Sequence, residues 1–301
     1  MQNFAIKLAN LAILQYTNFM DQPKSQLMSK KNFELTFNKD INMPNVGMHS
    51  HDFYELYYFQ TGDALYTVEN GHYVLEPGDI LLISPTNLHR LDIQNPNIPY
   101  QRIVLWLDPR FIDKLSSSKT NLHTCFKESE AQKAYLIRDK YTSTIILDHL
   151  KNLYSLNQTK EFGYDLESEN IIRSILICLA KYTTLASPTK FKYAEQNQFI
   201  TQAIDYINTH LTEDLSLESI ANALYINKYY FSHMFKAETN TSPHTYILKK
   251  RLLLSKTLIS SGLSISNACI QSGFDNDSHF YRAFKQEFGL TPKQYYSLIK
   301  N

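Results

Sequence analysis

Two histidines and a glutamate stand at spacings that place their side chains on one face of a predicted strand, and a third histidine follows later in the chain. His49, His51 and Glu55 fall within GMHSHDFYELYYFQTG, and His89 ends the later stretch PGDILLISPTNLH. Side chains alternate along a strand, so the odd-numbered residues of the first stretch project to one face. Three imidazoles and a carboxylate suit a divalent transition metal, and the same groups can bind the hydroxyls of a small ligand. Purely structural histidines remain a third interpretation.

Aromatic residues share this predicted face. Phe53 and Tyr57 have the same parity as Glu55, and Trp106 lies on a later predicted strand. Such rings can stack on the faces of sugars while nearby polar groups bind hydroxyls. For any single ring, filling the interior of a barrel is an equally simple interpretation.

The elements that must position these residues are short strands. From Phe33 to Leu107 apolar runs such as FYELYYFQ and DILLIS alternate with the turn signals TGD, ENG and EPGD. This pattern predicts an all-β sandwich or barrel. From about residue 128 to 186 the apolar spacing becomes helical, clearest in ENIIRSILICLAKY, and all of the chain after Gln198 is predicted helical. The predicted fold class is therefore α+β, with several domains.

Composition favours a globular, intracellular protein. The 301 residues are 43% hydrophobic and 20% charged, which suits two domains with real cores. No apolar run is long enough for a membrane span. The apolar first twenty residues lack a basic start and a cleavage site, so we expect an amphipathic helix packed on the first domain. Three widely spaced cysteines, Cys125, Cys178 and Cys269, predict a reducing, cytoplasmic environment.

One helix and its exit occur twice near the end of the chain. FSHMFKAETNTSPHTY, from Phe231, matches FYRAFKQEFGLTPKQY, from Phe280, at six of sixteen positions. Each copy follows a short predicted helix and a tight turn, with Asn227 and Asn276 as helix caps. Each copy is thus predicted to be a helix-turn-helix unit, whose second helix can enter a DNA major groove. Two helical hairpins in a plain bundle are the simpler alternative.

A helix predicted from Ser242 to Ser260 joins the two units. Ser242 caps it, and Pro243 occupies the first helical position. Its length is roughly 28 Å. Because successive major grooves on one face of DNA recur about every 34 Å, such a helix can hold two recognition helices in adjacent grooves. The segment from Lys228 to Lys256 contains six basic residues and a single acidic residue, Glu238. This positive charge suits either phosphate contacts or a solvated helix face.

Residues 199–298 resemble the DNA-binding domain of the AraC/XylS family of transcription regulators. SGFDNDSHFYRAFKQEFGLTPKQYY carries most of the resemblance, and Ala268–Cys269 departs from the usual Ile-Ala pair. By position, the resemblance implies that seven residues of the two recognition helices face DNA bases: Tyr229, Ser232, His233, Asp277, Ser278, Tyr281 and Arg282. Basic residues are expected to position the DNA backbone instead: Lys228, Lys236, Lys250, Arg251 and Lys285.

Two of these residues have alternative roles. Arg282 can read guanine in bidentate fashion or can contact phosphate. Asp277 would repel phosphate, so it either reads a cytosine amino group or favours the helix dipole, and the dipole role is the preferred interpretation.

Residues 33–107 resemble a cupin barrel through the spacing His-x-His-x3-Glu-x6-Gly and the later His89. In metal cupins these four positions hold a divalent ion, but SPTNLH lacks the glycine that enzymatic cupins place before the histidine. The match is closer to the cupin-like sensor domains of AraC-type regulators, which commonly bind small ligands such as sugars in the barrel. We therefore predict an effector site formed by His49, His51, Phe53, Glu55, Tyr57, His89 and Trp106. No metal cofactor is predicted, with a metal at the three histidines and Glu55 as the alternative.

The resemblance implies a cytoplasmic transcription activator, not an enzyme, that binds an operator in double-stranded DNA and acts on RNA polymerase. We predict an effector-binding barrel with an N-terminal helix at 1–125, a helical dimerisation segment at 126–190 and the DNA-binding domain at 191–301. From the sequence alone the stripe Ile171, Ile175, Leu176, Leu179 and Tyr182 can equally pack on the barrel or pair with a second copy. The resemblance favours dimerisation, because dimeric AraC-type regulators commonly pair through this region. The alternatives are a metal-sensing regulator or a metal-dependent cupin enzyme.

Overall fold

A computed structural model of the chain describes residues 28–69, 71–132, 134–185 and 198–300. The predicted N-terminal helix and the SPTK linker lie outside these residues. No helix among the described residues is long and apolar enough to cross a membrane.

The first part of the chain folds into two antiparallel sheets. The five-stranded sheet has the order β1-β8-β3-β6-β9, and the four-stranded sheet has the order β2-β7-β4-β5. The predicted β architecture is confirmed, although β7 and β9 were not predicted, and β9 lies in a region expected to be helical. The strands are β1 (Phe33–Asp40), β2 (Val46–His49), β3 (Tyr54–Thr61), β4 (Ala64–Val68), β5 (Gly71–Val74), β6 (Ile80–Ile83), β7 (His89–Ile93), β8 (Tyr100–Leu107) and β9 (Leu136–Ile137).

The histidine stretch is not one strand, as the parity argument assumed. The chain leaves β2 at His49 and enters β3 at Tyr54, and these strands belong to different sheets. His51 lies in the connection, while His89 pairs directly with His49 across β2 and β7. The cluster is therefore assembled where the chain changes sheets.

The two faces of β3 belong to different cores. Leu56 and Tyr58 pack with the helices that cover the first sheet, whereas Tyr57 and Phe59 pack between the sheets. This alternation is what a strand buried on both faces requires. The covering helices are α1 (Pro109–Leu115), α2 (Thr124–Ala131), α3 (Lys140–Thr159) and α4 (Tyr164–Leu185).

The apolar stripe of α4 packs on the barrel. Ile175, Leu176 and Leu179 have no exposed surface and belong to the core that α4 shares with the first sheet. Ile171 and Tyr182 pack against the same core. The packing interpretation therefore holds for this stripe, and its buried members are not available to a second copy.

The C-terminal part is helical and contains the two predicted helix-turn-helix units. The caps predicted at Asn227, Ser242 and Asn276 accept backbone N–H groups as expected, and Ser216 caps the helix before the first turn in the same way. The helices are α5 (Gln198–Thr209), α6 (Leu217–Ala223), α7 (Lys228–Thr239), α8 (Pro243–Ser260), α9 (Ile265–Gln271), α10 (Asp277–Phe288) and α11 (Pro292–Lys300). Thus α7 and α10 are the recognition helices, and α8 is the helix that joins the two units.

Candidate functional site

The recognition helices present the predicted base-reading side chains to solvent. Phe231, Phe235, Phe280 and Phe284 are fully buried on the opposite faces of α7 and α10. Burial of these faces fixes how each helix is rotated, so the base-reading faces point outward. The outward side chains are exposed, with Ser232 half-buried: Tyr229, Ser232, His233, Asp277, Ser278, Tyr281 and Arg282.

Two predicted DNA-backbone contacts lie elsewhere, in α8. Lys250 Nζ is 3.0 Å from Glu69 Oε1 in the barrel, a residue 181 positions away in sequence. Arg251 Nε donates to the carbonyl of Leu211 at 2.9 Å, within the C-terminal domain. Both cations therefore have protein partners in this conformation, which a local count of charges does not reveal. The other three predicted backbone contacts lie on the recognition helices, where Lys236 and Lys285 are exposed and Lys228 is half-buried.

Asp277 is the first residue of α10, directly after the cap residue Asn276. A carboxylate there interacts favourably with the positive end of the helix dipole, which agrees with the preferred interpretation. Arg282 is exposed one turn later, and its Nε donates to the carbonyl of Ser278 at 3.3 Å.

Base reading and backbone positioning by the recognition helices can be separated with two exposed residues. We expect His233→Ala to weaken operator binding by about 1–3 kcal/mol and to leave random DNA nearly unaffected, as the loss of a base contact does. Lys285→Ala should weaken both DNAs about equally and flatten the salt dependence. Fluorescence anisotropy at several salt concentrations measures both effects, and identical behaviour of the two variants would contradict the assignment of α7.

In the barrel, the structure brings three predicted site residues to one point. One potential ligand atom each from His51, Glu55 and His89 lies within 4.8 Å of the others, and all three residues are buried. The ring of His49 lies 4.1 Å from that of His89, measured between centroids, and 6.3 Å from that of His51. We call these four residues the histidine cluster.

Backbone hydrogen bonds fix how the three imidazoles present their nitrogens. The Nδ1 atoms of His49, His51 and His89 lie 2.8, 2.8 and 3.0 Å from the carbonyls of Gly47, Phe53 and Asn87. A carbonyl oxygen only accepts, so each Nδ1 carries a hydrogen, and in a neutral ring the Nε2 atom is then a lone-pair acceptor. Within the described part of the chain, the buried Nε2 atoms of His51 and His89 find no hydrogen-bond partner.

The electrostatics of the cluster favour neutral forms of His49 and His89 beside an ionised Glu55. Burial lowers the pKa of His49 to about 4 and that of His89 well below its ordinary value. Burial alone would raise the pKa of Glu55, but His51 and Trp106 hold it below its ordinary value. His51 Nε2 lies 3.2 Å from Glu55 Oε2, which is within ion-pair range. The two atoms attract each other only when a proton or a cation lies between them.

Aromatic side chains lie beside the Glu55 carboxylate, and the structure places Trp106 and Phe53 of the predicted set among them. Trp106 Nε1 donates to Glu55 Oε2 at 2.8 Å, and the Tyr66 hydroxyl donates to Oε1 at 3.4 Å. Phe53 stacks on His51, with 3.9 Å between ring centroids, and lies 4.5 Å from Trp106. Tyr57 is also buried here and hydrogen-bonds the hydroxyl of Tyr100. Tyr66 was not singled out from the sequence, although its alternating position in ALYTVE was a usable signal.

The chain matches known protein families over both parts. A family model described as an AraC-like ligand binding domain matches residues 37–176, and a helix-turn-helix domain matches residues 220–297. The uncharacterized HTH-type transcriptional regulator YdiP of Escherichia coli is 24% identical over 85% of this chain and 82% of its own length. The HTH-type transcriptional activator RhaS of Salmonella arizonae is 20% identical over 81% of this chain and 85% of its own length.

Among solved structures, ToxT of Vibrio cholerae is similar over 90% of this chain and 100% of that chain, with 14% identity and a TM-score of 0.37. Because this structural similarity is low, the family assignment rests on the sequence matches. They cover the barrel with its histidine cluster and both recognition helices. The chain belongs to the AraC family of DNA-binding transcription regulators, with a ligand-binding domain before its helix-turn-helix domain.

Proposed function

We propose that this chain is a transcription activator that responds to a neutral, hydroxylated small molecule, with a carbohydrate as the best chemical match, bound at the histidine cluster. The observation that carries the proposal is that the buried Nε2 atoms of His51 and His89, which lie beside aromatic rings, have no hydrogen-bond partner among the described residues. Activation is supported by the name of the relative RhaS, a transcriptional activator. On this proposal the protein works in the cytoplasm, contacts RNA polymerase and is not an enzyme.

The cluster selects for ligands that donate hydrogen bonds. With neutral imidazoles, the Nε2 atoms of His51 and His89 each offer a lone pair, and Glu55 adds a carboxylate. Sugar hydroxyls donate hydrogen bonds and present apolar ring faces to aromatic side chains such as Trp106. An anionic ligand would instead meet the negative charge of Glu55 and no free donor from the two histidines, which disfavours it.

A thermal-shift screen of the full chain tests this ligand class. At about a hundred times its dissociation constant, a neutral sugar should stabilise the fold by about 2.7 kcal/mol, which raises the melting temperature by roughly 5 °C. Sugar acids and sugar phosphates of the same size should give smaller shifts, because the site lacks donors for anions. Glu55→Gln serves as the site control, since it should reduce the shift for a neutral sugar. An anion preferred over its neutral counterpart would contradict the proposal.

A second candidate, a metal-sensing regulator, is favoured by one specific observation. The potential ligand atoms of His51, Glu55 and His89 converge within 4.8 Å, and backbone carbonyls fix the tautomers of the histidines. Such outer hydrogen bonds commonly orient histidine ligands of metals. These three residues would hold the ion, and His49 lies next to them. A bound cation would also satisfy the close approach of His51 to Glu55.

Elemental analysis of the purified chain, with melting curves before and after EDTA, decides between the two candidates. If the cluster is a sugar site, the metal content should be well below one per chain and the melting temperature should not respond to EDTA. About one transition metal per chain, together with a lower melting temperature after chelation, would replace the sugar proposal with the metal one.

We also propose that the protein acts as a homodimer through the helical segment 126–190. The buried stripe of α4 does not support this pairing, but other apolar side chains do. Phe162, between α3 and α4, is fully exposed, and Leu166 on α4 is 64% exposed. A patch of exposed apolar side chains can serve as a contact between proteins, so we propose that these two residues belong to the pairing surface.

A further inference from the structure

The structure places the barrel directly against α8, the helix that joins the two recognition units. Met48 and Leu88 of the barrel belong to the same apolar cluster as the core of the C-terminal domain. Lys249 Nζ donates to the carbonyl of Met48 at 2.9 Å, and Lys256 Nζ forms an ion pair with Asp52. We call this set of contacts between barrel loops and α8 the α8 joint.

Glu69 is the polar centre of the α8 joint. Its Oε1 accepts from Lys250 Nζ at 3.0 Å, and its Oε2 accepts from the Tyr246 hydroxyl at 2.9 Å. Oε1 also accepts the backbone N–H of Leu88 at 2.8 Å, which ties the carboxylate to the loop before β7. Glu69 and Tyr246 are both buried. A buried carboxylate is costly unless its bonds are satisfied, so this contact favours one docked position of α8.

The segments of the barrel that contact α8 and its domain are the segments that carry the three cluster histidines. Met48 precedes His49, Asp52 follows His51, and Leu88 precedes His89. Each of these three neighbours contacts the C-terminal domain, either in the shared apolar cluster or through Lys256. A ligand at the cluster histidines would therefore act on residues that are directly adjacent in sequence to those that contact the C-terminal domain.

From α8 the contacts continue to both recognition helices. The ring of Tyr246 packs edge-on against Phe235 of α7, with 5.5 Å between centroids. Lys249 Nζ is 3.6 Å from Glu287 Oε1 of α10. Lys256 Nζ lies 4.1 Å from the centroid of the Phe288 ring, at the end of α10. The side chains that touch the barrel are thus the ones that support the two recognition helices.

We infer that the α8 joint, centred on Glu69 and Lys250, is the route by which occupancy of the histidine cluster changes DNA binding. This inference rests on the proposed function, because it presupposes that a ligand in the barrel regulates the readers. It assigns Lys250 a role in coupling the domains, in place of the DNA contact predicted from sequence. Glu69 and Lys250 act through other residues and touch neither the bases nor the cluster.

The coupling can be tested without knowing the effector, because coupling between two sites is reciprocal. If the cluster changes DNA binding through α8, DNA must in turn change the barrel loops. We propose hydrogen-exchange mass spectrometry on the full chain, with and without an operator duplex selected in vitro. Operator binding should change exchange in residues 46–53 and 84–90 by about fivefold or more, the lower end of usual coupling between sites.

Conservative variants of the joint should remove this response. Lys250→Met keeps the length of the side chain without its charge, and Glu69→Gln keeps an acceptor for Leu88. In either variant the barrel loops should no longer respond to DNA, while α7 and α10 should still be protected by it. Glu169→Gln is the matched control, since it breaks the ion pair with Lys114 in the first domain, away from α8; it should respond like the wild type.

The outcomes are distinct. Barrel loops that do not respond in the wild type, or that respond equally in Lys250→Met, would overturn the coupling inference while leaving DNA binding intact. Failure of DNA to protect α7 and α10 in the wild type would instead count against the function as a DNA-binding regulator.

Discussion

We expect the full chain to protect two successive major grooves on one face of its operator, a site of roughly 17–20 bp on the helical repeat of about 10.5 bp. The 18 residues of α8 span about 27 Å, so α7 and α10 can be held one DNA turn apart. Binding should fall steeply with salt because phosphate contacts contribute much of the affinity. Footprinting at single-nucleotide resolution measures the protected site.

Both recognition helices should be necessary for this affinity. Alanine at Tyr229, Ser232 and His233 removes the predicted base contacts of α7, and alanine at Ser278, Tyr281 and Arg282 removes those of α10. With about 1–3 kcal/mol for each good base contact, each triple variant should lose at least about a hundredfold in operator affinity. None of these side chains is fully buried, so both variants should fold.

A double variant in the other domain serves as the control for the two triple variants. Lys151→Ala combined with Asn152→Ala changes exposed residues of α3, in the other domain, and should leave the footprint and the affinity unchanged. Protection confined to one groove, or a triple variant of α10 that binds as tightly as the wild type, would contradict the model of two readers.

Elements defined by local signals were predictable to within a residue or so. The caps Asn227 and Asn276 begin α7 and α10 as predicted, and the left-handed residues Asn240 and Gly289, typical helix stops, end them. These signals work because a cap satisfies backbone groups of the same short segment. The proximity of His51, Glu55 and His89 was expected from the resemblance to a cupin barrel, whereas the parity argument failed because His51 lies in the connection between β2 and β3.

Features that depend on distant partners were not predictable. The change of sheet between His49 and Tyr54 depends on pairing with β7 and β8, and the short strand β9 exists only as an edge beside β6. The sequence analysis predicted a DNA-backbone contact for Lys250, because its partner Glu69 lies 181 positions away and local charge does not reveal it. A single sequence displays charge and period along the chain but not contacts between domains.

The turn before the second recognition helix depends on Gly273. Its φ is +85°, a conformation that L-residues with a side chain rarely adopt. A Cβ atom built at this position would lie 2.8 Å from the carbonyl oxygen of Leu211 and 2.9 Å from Arg251 Nε. These two atoms form the hydrogen bond by which α8 holds the loop after α5. The glycine is therefore required both by its backbone conformation and by the close approach of this hydrogen bond.

We expect Gly273→Ala to destabilise the C-terminal domain by about 2–5 kcal/mol, combining backbone strain with overpacking against backbone. The matched control is Gly262→Ala, where φ is +97° but nothing lies within 4 Å of an added Cβ. It should cost only the strain, about 1–2 kcal/mol. Calorimetry of the full chain should show the C-terminal transition of Gly273→Ala lowered by roughly 10 °C or more, and that of Gly262→Ala lowered by less. Because α10 begins four residues later, operator affinity should also fall more in Gly273→Ala; equal melting temperatures for the two variants would show that the second recognition helix is not held by this contact.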